Sequence, residues 1–96
     1  MNKQEIIAQL KSHLTDVPQL RALNYANAEF PRWKNGVLKT LTDIYGSDSP
    51  QYKRFEEAPG KFFKVDTELG RQQSYTYVLE MHESALNTLI SRAEMS

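Results

Sequence analysis

Cysteine is absent from the 96-residue sequence. That excludes disulfides and thiolate metal sites, and it leaves the compartment open. Net charge is absent too: twelve basic side chains balance twelve acidic ones, so indiscriminate attraction to nucleic acid is disfavoured. No stretch approaches the roughly 18 apolar residues of a transmembrane helix. The opening MNKQEIIAQLKSHL lacks the apolar centre of a signal peptide, because Glu5, Gln9, Lys11 and Ser12 interrupt it. The expectation is a cytoplasmic protein with no membrane contact. There is no GxxxxGK[ST] or GxGxxG for phosphate, no HExxH or HxxxH for metal and no GxSxG elbow. Internal repeats and low-complexity segments are also missing.

What remains is the material of one small domain, spanning 1–96. A chain this short buries only about two-thirds of its surface, so its core is modest. The charges are unevenly placed. Residues 30–64 carry seven basic side chains (Arg32, Lys34, Lys39, Lys53, Arg54, Lys61, Lys64) against four acidic ones, and seven of the ten aromatics. Residues 65–96 carry two basic against five acidic. Such polarity suits self-association or an anionic ligand.

The apolar pattern is helical. Asn2 and Glu5 form a capping pair ahead of Ile6, Ile7, Leu10 and Leu14, which lie on one stripe. Pro18 breaks that helix, because its ring disfavours a helical Val17. Gln19 to Leu23 can form a short turn, and 24–27 reads as loop. Pro31 sits in the first turn of a second long helix, with Trp33, Val37, Leu38, Leu41, Ile44 and Tyr45 as its stripe. Gly36 is a mild interruption. "GSDSP" then joins a stop to a start. Gly46 ends one helix in the left-handed conformation, Ser49 caps the next, and Pro50 takes its first position. Tyr52 and Phe55 share a face of this short helix, which folds back on the one before. Phe62 and Phe63 cannot both point inward from an extended segment.

Asp66 or Thr67 caps a long final helix. Tyr75, Leu79, His82, Leu86, Leu89 and Ala93 recur at steps of four, three, four, three and four. This heptad seam is widened by Val78, Met81, Ala85 and Ile90. The fold class is therefore all-α: three principal helices, one or two short ones, and the longest at the C-terminal end. The stripe looks wider than one small chain covers. Tyr75, Leu79, His82, Leu86 and Leu89 are thus candidates for a core or for a contact between copies, most simply in a dimer.

Chemistry is sparse. His13 and His82 are far apart in sequence, and His82 reads as a hydrogen-bonded core or interface residue. Glu56 and Glu57 are adjacent, so their carboxylates diverge on a helix. Nothing calls for a catalytic residue, metal or cofactor. Arg32, Lys53, Arg54, Lys61 and Lys64, interleaved with aromatics, are the candidates for an anionic ligand such as a nucleotide or nucleic acid. Against this stands the use of Trp33, Tyr52 and Phe55 on folding stripes.

Residues 29–57, EFPRWKNGVLKTLTDIYGSDSPQYKRFEE, resemble a bacterial pattern. In it a tryptophan-bearing helix ends in "aromatic-G-x-x-S" and is followed by "RF". The pattern is similar to helical domains that precede TIR-like and other effector domains in anti-phage defence proteins. Ser74–Ile90, SYTYVLEMHESALNTLI, is similar to a later helix of those regions. The resemblance covers about half the chain. It implies a helical fold and a recognition or assembly role, and it transfers no catalytic residue. The expected function is a non-enzymatic interaction or oligomerisation module, acting as an adaptor or inhibitor on an unidentified protein partner. The alternative is a helical binder of nucleotides or nucleic acid.

Overall fold

The computed structural model describes residues 2–60 and 66–96. Five helices follow one another: α1 (Lys3–Leu14), α2 (Val17–Arg21), α3 (Glu29–Tyr45), α4 (Pro50–Glu56) and α5 (Glu68–Met95). The described residues contain no strand. The all-α reading, three principal helices with two short ones and the longest last, is the observed architecture.

Helix starts are fixed by short polar side chains. The Glu5 N–H donates to Asn2 Oδ1 at 2.8 Å, and Asn2 Nδ2 returns a bond to Glu5 Oε1 at 3.2 Å. Ser49 Oγ accepts from the Tyr52 N–H at 3.1 Å, and Thr67 Oγ1 from the Gly70 N–H at 3.0 Å. The three main-chain N–H groups so bonded are donors that the first turn leaves unpaired. At α3 the cap comes from the loop, where Asn27 Oδ1 accepts from the Phe30 N–H at 2.7 Å.

The long helix α5 sets the size of the molecule. Its 28 residues span about 42 Å at 1.5 Å per residue, close to the longest molecular dimension of 45 Å. The α1–α2 arm runs antiparallel along it. Lys11 pairs with Glu94 at 3.3 Å, Arg21 with Glu83 at 2.8 Å, and the Tyr25 N–H donates to Gln72 Oε1 at 2.9 Å. Helix α3 runs parallel to α5, with Phe30 against Tyr75 and His82. Helix α4 returns along both, setting Phe55 edge-on to Trp33 and beside His82. The core gathers Leu10, Val17, Leu20, Trp33, Val37, Leu41, Phe55, Leu79, Leu86 and Leu89. Burying each large side chain contributes on the order of 1.5–3 kcal/mol.

Two local expectations fail for identifiable reasons. Val17 is helical and fully buried despite preceding Pro18. Pro18 lies in the first turn, where a missing N–H costs nothing. Val17 thereby reaches the core, and its burial outweighs the local preference. Gly46 does have positive φ, at 94°, but its ψ is 151° rather than left-handed helical. That combination is essentially confined to glycine, and it turns the chain straight into the extended Ser49 cap. The expectation for Phe62 and Phe63 lies outside the described residues.

Candidate functional site

Among the concave regions, one of about 390 Å³ runs over polar side chains of α5 alone, from Glu80 to Arg92. Of the two that reach buried residues, the larger, about 380 Å³, lies where α1 and α2 face α3. Buried Leu20 and Trp33 and half-buried Leu23 form its apolar part, while His13, Asp16, Glu29 and Arg32 add polar groups. The α1–α2 junction builds this groove: Pro18 lets the chain turn while Val17 and Leu20 stay inward. Trp33 is anchored from below, because its Nε1–H donates to the His13 carbonyl at 2.8 Å.

His13 itself is tied across to α3. Its Nε2 lies 2.8 Å from Thr40 Oγ1, and the Thr40 hydroxyl donates to the Gly36 carbonyl at 3.1 Å. The Thr40 hydroxyl thereby links the His13 ring to the α3 main chain. Burial lowers the His13 pKa, and the nearby Asp16 carboxylate offsets part of the effect. The Thr–His–Asp order superficially matches a nucleophilic triad. The match stops at the carboxylate, because Asp16 acts on His13 by charge and no hydrogen bond joins them among the described residues. His13 and Thr40 act as a strut between α1 and α3.

The smaller cleft, about 200 Å³, opens between α4 and the C-terminal turns of α5. Tyr45, Pro50, Gln51, Arg54, Leu89, Arg92, Ala93 and Ser96 line it. It contains two guanidinium groups and no side-chain carboxylate.

The anionic-ligand candidates thus separate. Arg32 goes to the larger groove and Arg54 to the smaller cleft, at opposite ends of the α3–α4 pair. Lys53 is exposed and lines neither. Lys61 and Lys64 lie outside the described residues. Arg92 joins Arg54 although the sequence reading passed it over, because it belongs to the acidic last third. The signal that could have found it is the antiparallel return of a short α4 onto α5.

The five seam residues, Tyr75, Leu79, His82, Leu86 and Leu89, are all at most 7 % exposed within a single chain. They fill its core, one of the two places open to them. The stripe's width is covered by α1 through α4, so width no longer argues for a contact between copies. Tyr75 still satisfies its hydroxyl, donating to the Leu20 carbonyl at 2.5 Å.

His82 departs from expectation. Its ring lies tilted against that of Phe55, centroids 4.6 Å apart, and it bonds the Phe55 main chain, yet its Nδ1 is buried with no partner. Burial, helped by the Lys34 ammonium, pushes its pKa down to about 4, against the opposing pull of the Phe55 main-chain bond. The ring is therefore neutral at pH 7, held among aromatics with one lone pair unused.

No cluster of three or more metal-ligating side chains occurs among the described residues, and no described helix is long and apolar enough to cross a membrane. Compared with protein-family models, with curated proteins and with solved structures, the chain gives no match in any of the three.

Proposed function

We propose that the protein is a non-enzymatic recognition module that binds a segment of a protein partner in the groove between the α1–α2 arm and α3. The observation that carries this reading is the groove's make-up. Leu20, Leu23 and Trp33 offer apolar surface, and Arg32 borders it without an ion pair among the described residues. An apolar anchor beside an arginine is the composition that protein interfaces favour. Asp16 and Glu29 on the same lining select against segments of uniformly negative charge. The likeness to helical domains of defence proteins supports an adaptor or inhibitor role.

Selection of displayed peptides on the purified protein tests the reading. The expected outcome is enrichment of sequences with one large apolar residue beside an acidic one. Leu23→Glu and Arg32→Glu each abolish capture, while circular dichroism stays unchanged. Enrichment that survives both substitutions, or none at all, refutes the groove as the recognition surface.

A second reading, binding of a small anion, is favoured by one separate observation: Arg54 and Arg92 reach the same cleft from different helices.

A further inference from the structure

We propose that the cleft between α4 and the C-terminal turns of α5 binds the phosphate group of a small phosphomonoester, held jointly by Arg54 and Arg92. The inference deepens the anion-binding reading and is independent of peptide recognition in the other groove.

The first argument is electrostatic. Arg54 and Arg92 line one cleft of about 200 Å³ whose side chains include no carboxylate; Ser96 also lines it, its main-chain oxygen accepting from Lys3 Nζ at 2.7 Å, and Arg92 borders a second concavity with Glu80 and Glu83. Elsewhere the chain does pair its charges between helices, as Lys11–Glu94 and Arg21–Glu83 show. Neither cleft arginine has an ion pair among the described residues. Both arginines are exposed, and a dianion seated between them is attracted to both guanidinium groups at once. A phosphomonoester supplies two negative charges and oxygens that match the planar guanidinium fork in bidentate fashion.

The second argument is placement. Arg54 directly precedes Phe55, which is fully buried, and Arg92 follows Leu89 and Ile90, which are nearly so. Core packing on both helices thus fixes the two backbone positions from which the arginines extend. A site built on packed helices holds its geometry better than one on loops.

The third argument is the remaining lining. Gln51 adds an amide, and Tyr45 adds a hydroxyl that burial keeps protonated and able to donate. Leu89, Ala93 and Pro50 supply apolar wall beside these polar groups. The cleft therefore offers more than charge: an organic group attached to the phosphate meets a ring and aliphatic surface. Its volume suits a phosphate with part of a small organic moiety, not a wrapped polymer.

The test is calorimetric titration of the intact chain at low salt with inorganic phosphate and with adenosine monophosphate. Both are expected to bind, the nucleotide more tightly because of the wall. Arg54→Gln and Arg92→Gln should each weaken binding by about tenfold or more, the loss expected for one charge-assisted bidentate contact. Arg54→Lys should fall between, since it keeps charge and loses the fork. Lys53→Gln, next to the cleft but outside it, should leave affinity within about twofold, as expected for a screened neighbouring charge. The proposal is overturned if neither ligand binds at about 10 mM in low salt, where electrostatic attraction is strongest. It is equally overturned if Lys53→Gln weakens binding as much as the arginine variants do. Both cleft side chains lie at the surface, and unchanged circular dichroism of each variant separates loss of binding from loss of fold.

Discussion

Acidification should destabilise this protein through His82. In the folded chain the imidazole is 1 % exposed, its Nδ1 has no partner, and its pKa is down to about 4 from an ordinary 6.5. In the unfolded chain the ring accepts a proton at the ordinary value. Between those two values the unfolded state binds more protons, so stability is lost as pH falls. The loss begins near pH 6.5 and ends near pH 4. From the two pKa values it amounts to about 2 kcal/mol by pH 5 and about 3 kcal/mol by pH 4. A domain of this size has only about 5–10 kcal/mol in total, so the effect is a large share. His13, also lowered by burial, acts with the same sign. The assay is urea unfolding at several pH values between 7 and 4, for the wild type and for His82→Leu. Leucine fills a similar volume, and the Phe55 carbonyl keeps its Ala58 N–H bond at 3.3 Å. Titrating carboxylates affect both proteins alike, so the difference between the two curves isolates His82. The wild type should lose about 2 kcal/mol relative to the variant between pH 7 and pH 5. Parallel curves would refute the reasoning, as would an NMR titration placing the His82 midpoint near 6.5.

Other perturbations follow from the same contacts. Phe55→Ala should cost about 3–5 kcal/mol in urea unfolding, because a fully buried ring joining Trp33 and His82 is lost. Ser49→Ala should cost about 1 kcal/mol by removing the α4 cap, and Gly46→Val should cost more than the cap, since φ of 94° with ψ of 151° is closed to β-branched residues. Gly36→Ala should instead raise stability by about 0.5–1 kcal/mol: the new methyl meets His13 Cε1 at an ordinary 3.8 Å, and the helix interior gains propensity. A drop in melting temperature for Gly36→Ala would show that the groove floor tolerates no added atom.

Much of the fold was legible because its signals are local. Asn2, Ser49 and Thr67 cap the helices they precede, and Pro50 opens α4, all within one helical turn of the residues that reveal them. The α5 seam was legible because periodicity marks a buried face. Periodicity does not say what covers that face, so an interface between copies and an intrachain core looked alike until α1 through α4 were placed. It also says nothing of hydrogen bonds. His82 was read as a hydrogen-bonded residue of the seam, and it does bond the Phe55 main chain, but the pattern could not show that its Nδ1 is left without a partner. Val17 was misread because the rule for residues before proline is local, whereas its burial comes from α5. The basic cluster failed similarly: nearness in sequence grouped Arg32 with Arg54, and the turn at Gly46 sends them to different clefts. Arg92, 38 residues from Arg54 in the chain, became its partner only through the return of α4 along α5.

The antiparallel pairing of α1 with α5 also sets an order for folding during synthesis. Helices α3 and α4 are neighbours in sequence and can close on each other early. The α1–α2 arm can meet α3 early, through Trp33 and Thr40 on His13, but not α5, since Lys3 reaches the Ser96 carbonyl at 2.7 Å and Lys11 reaches Glu94. At roughly 5–20 residues per second, the ribosome takes about 4–19 s to make the segment between those contacts. Throughout that interval Leu10, Val17 and Leu20 lack the α5 side of the surface that will bury them. The nascent chain is exposed to chaperones and to aggregation during this wait, with α1 only half packed until α5 is made.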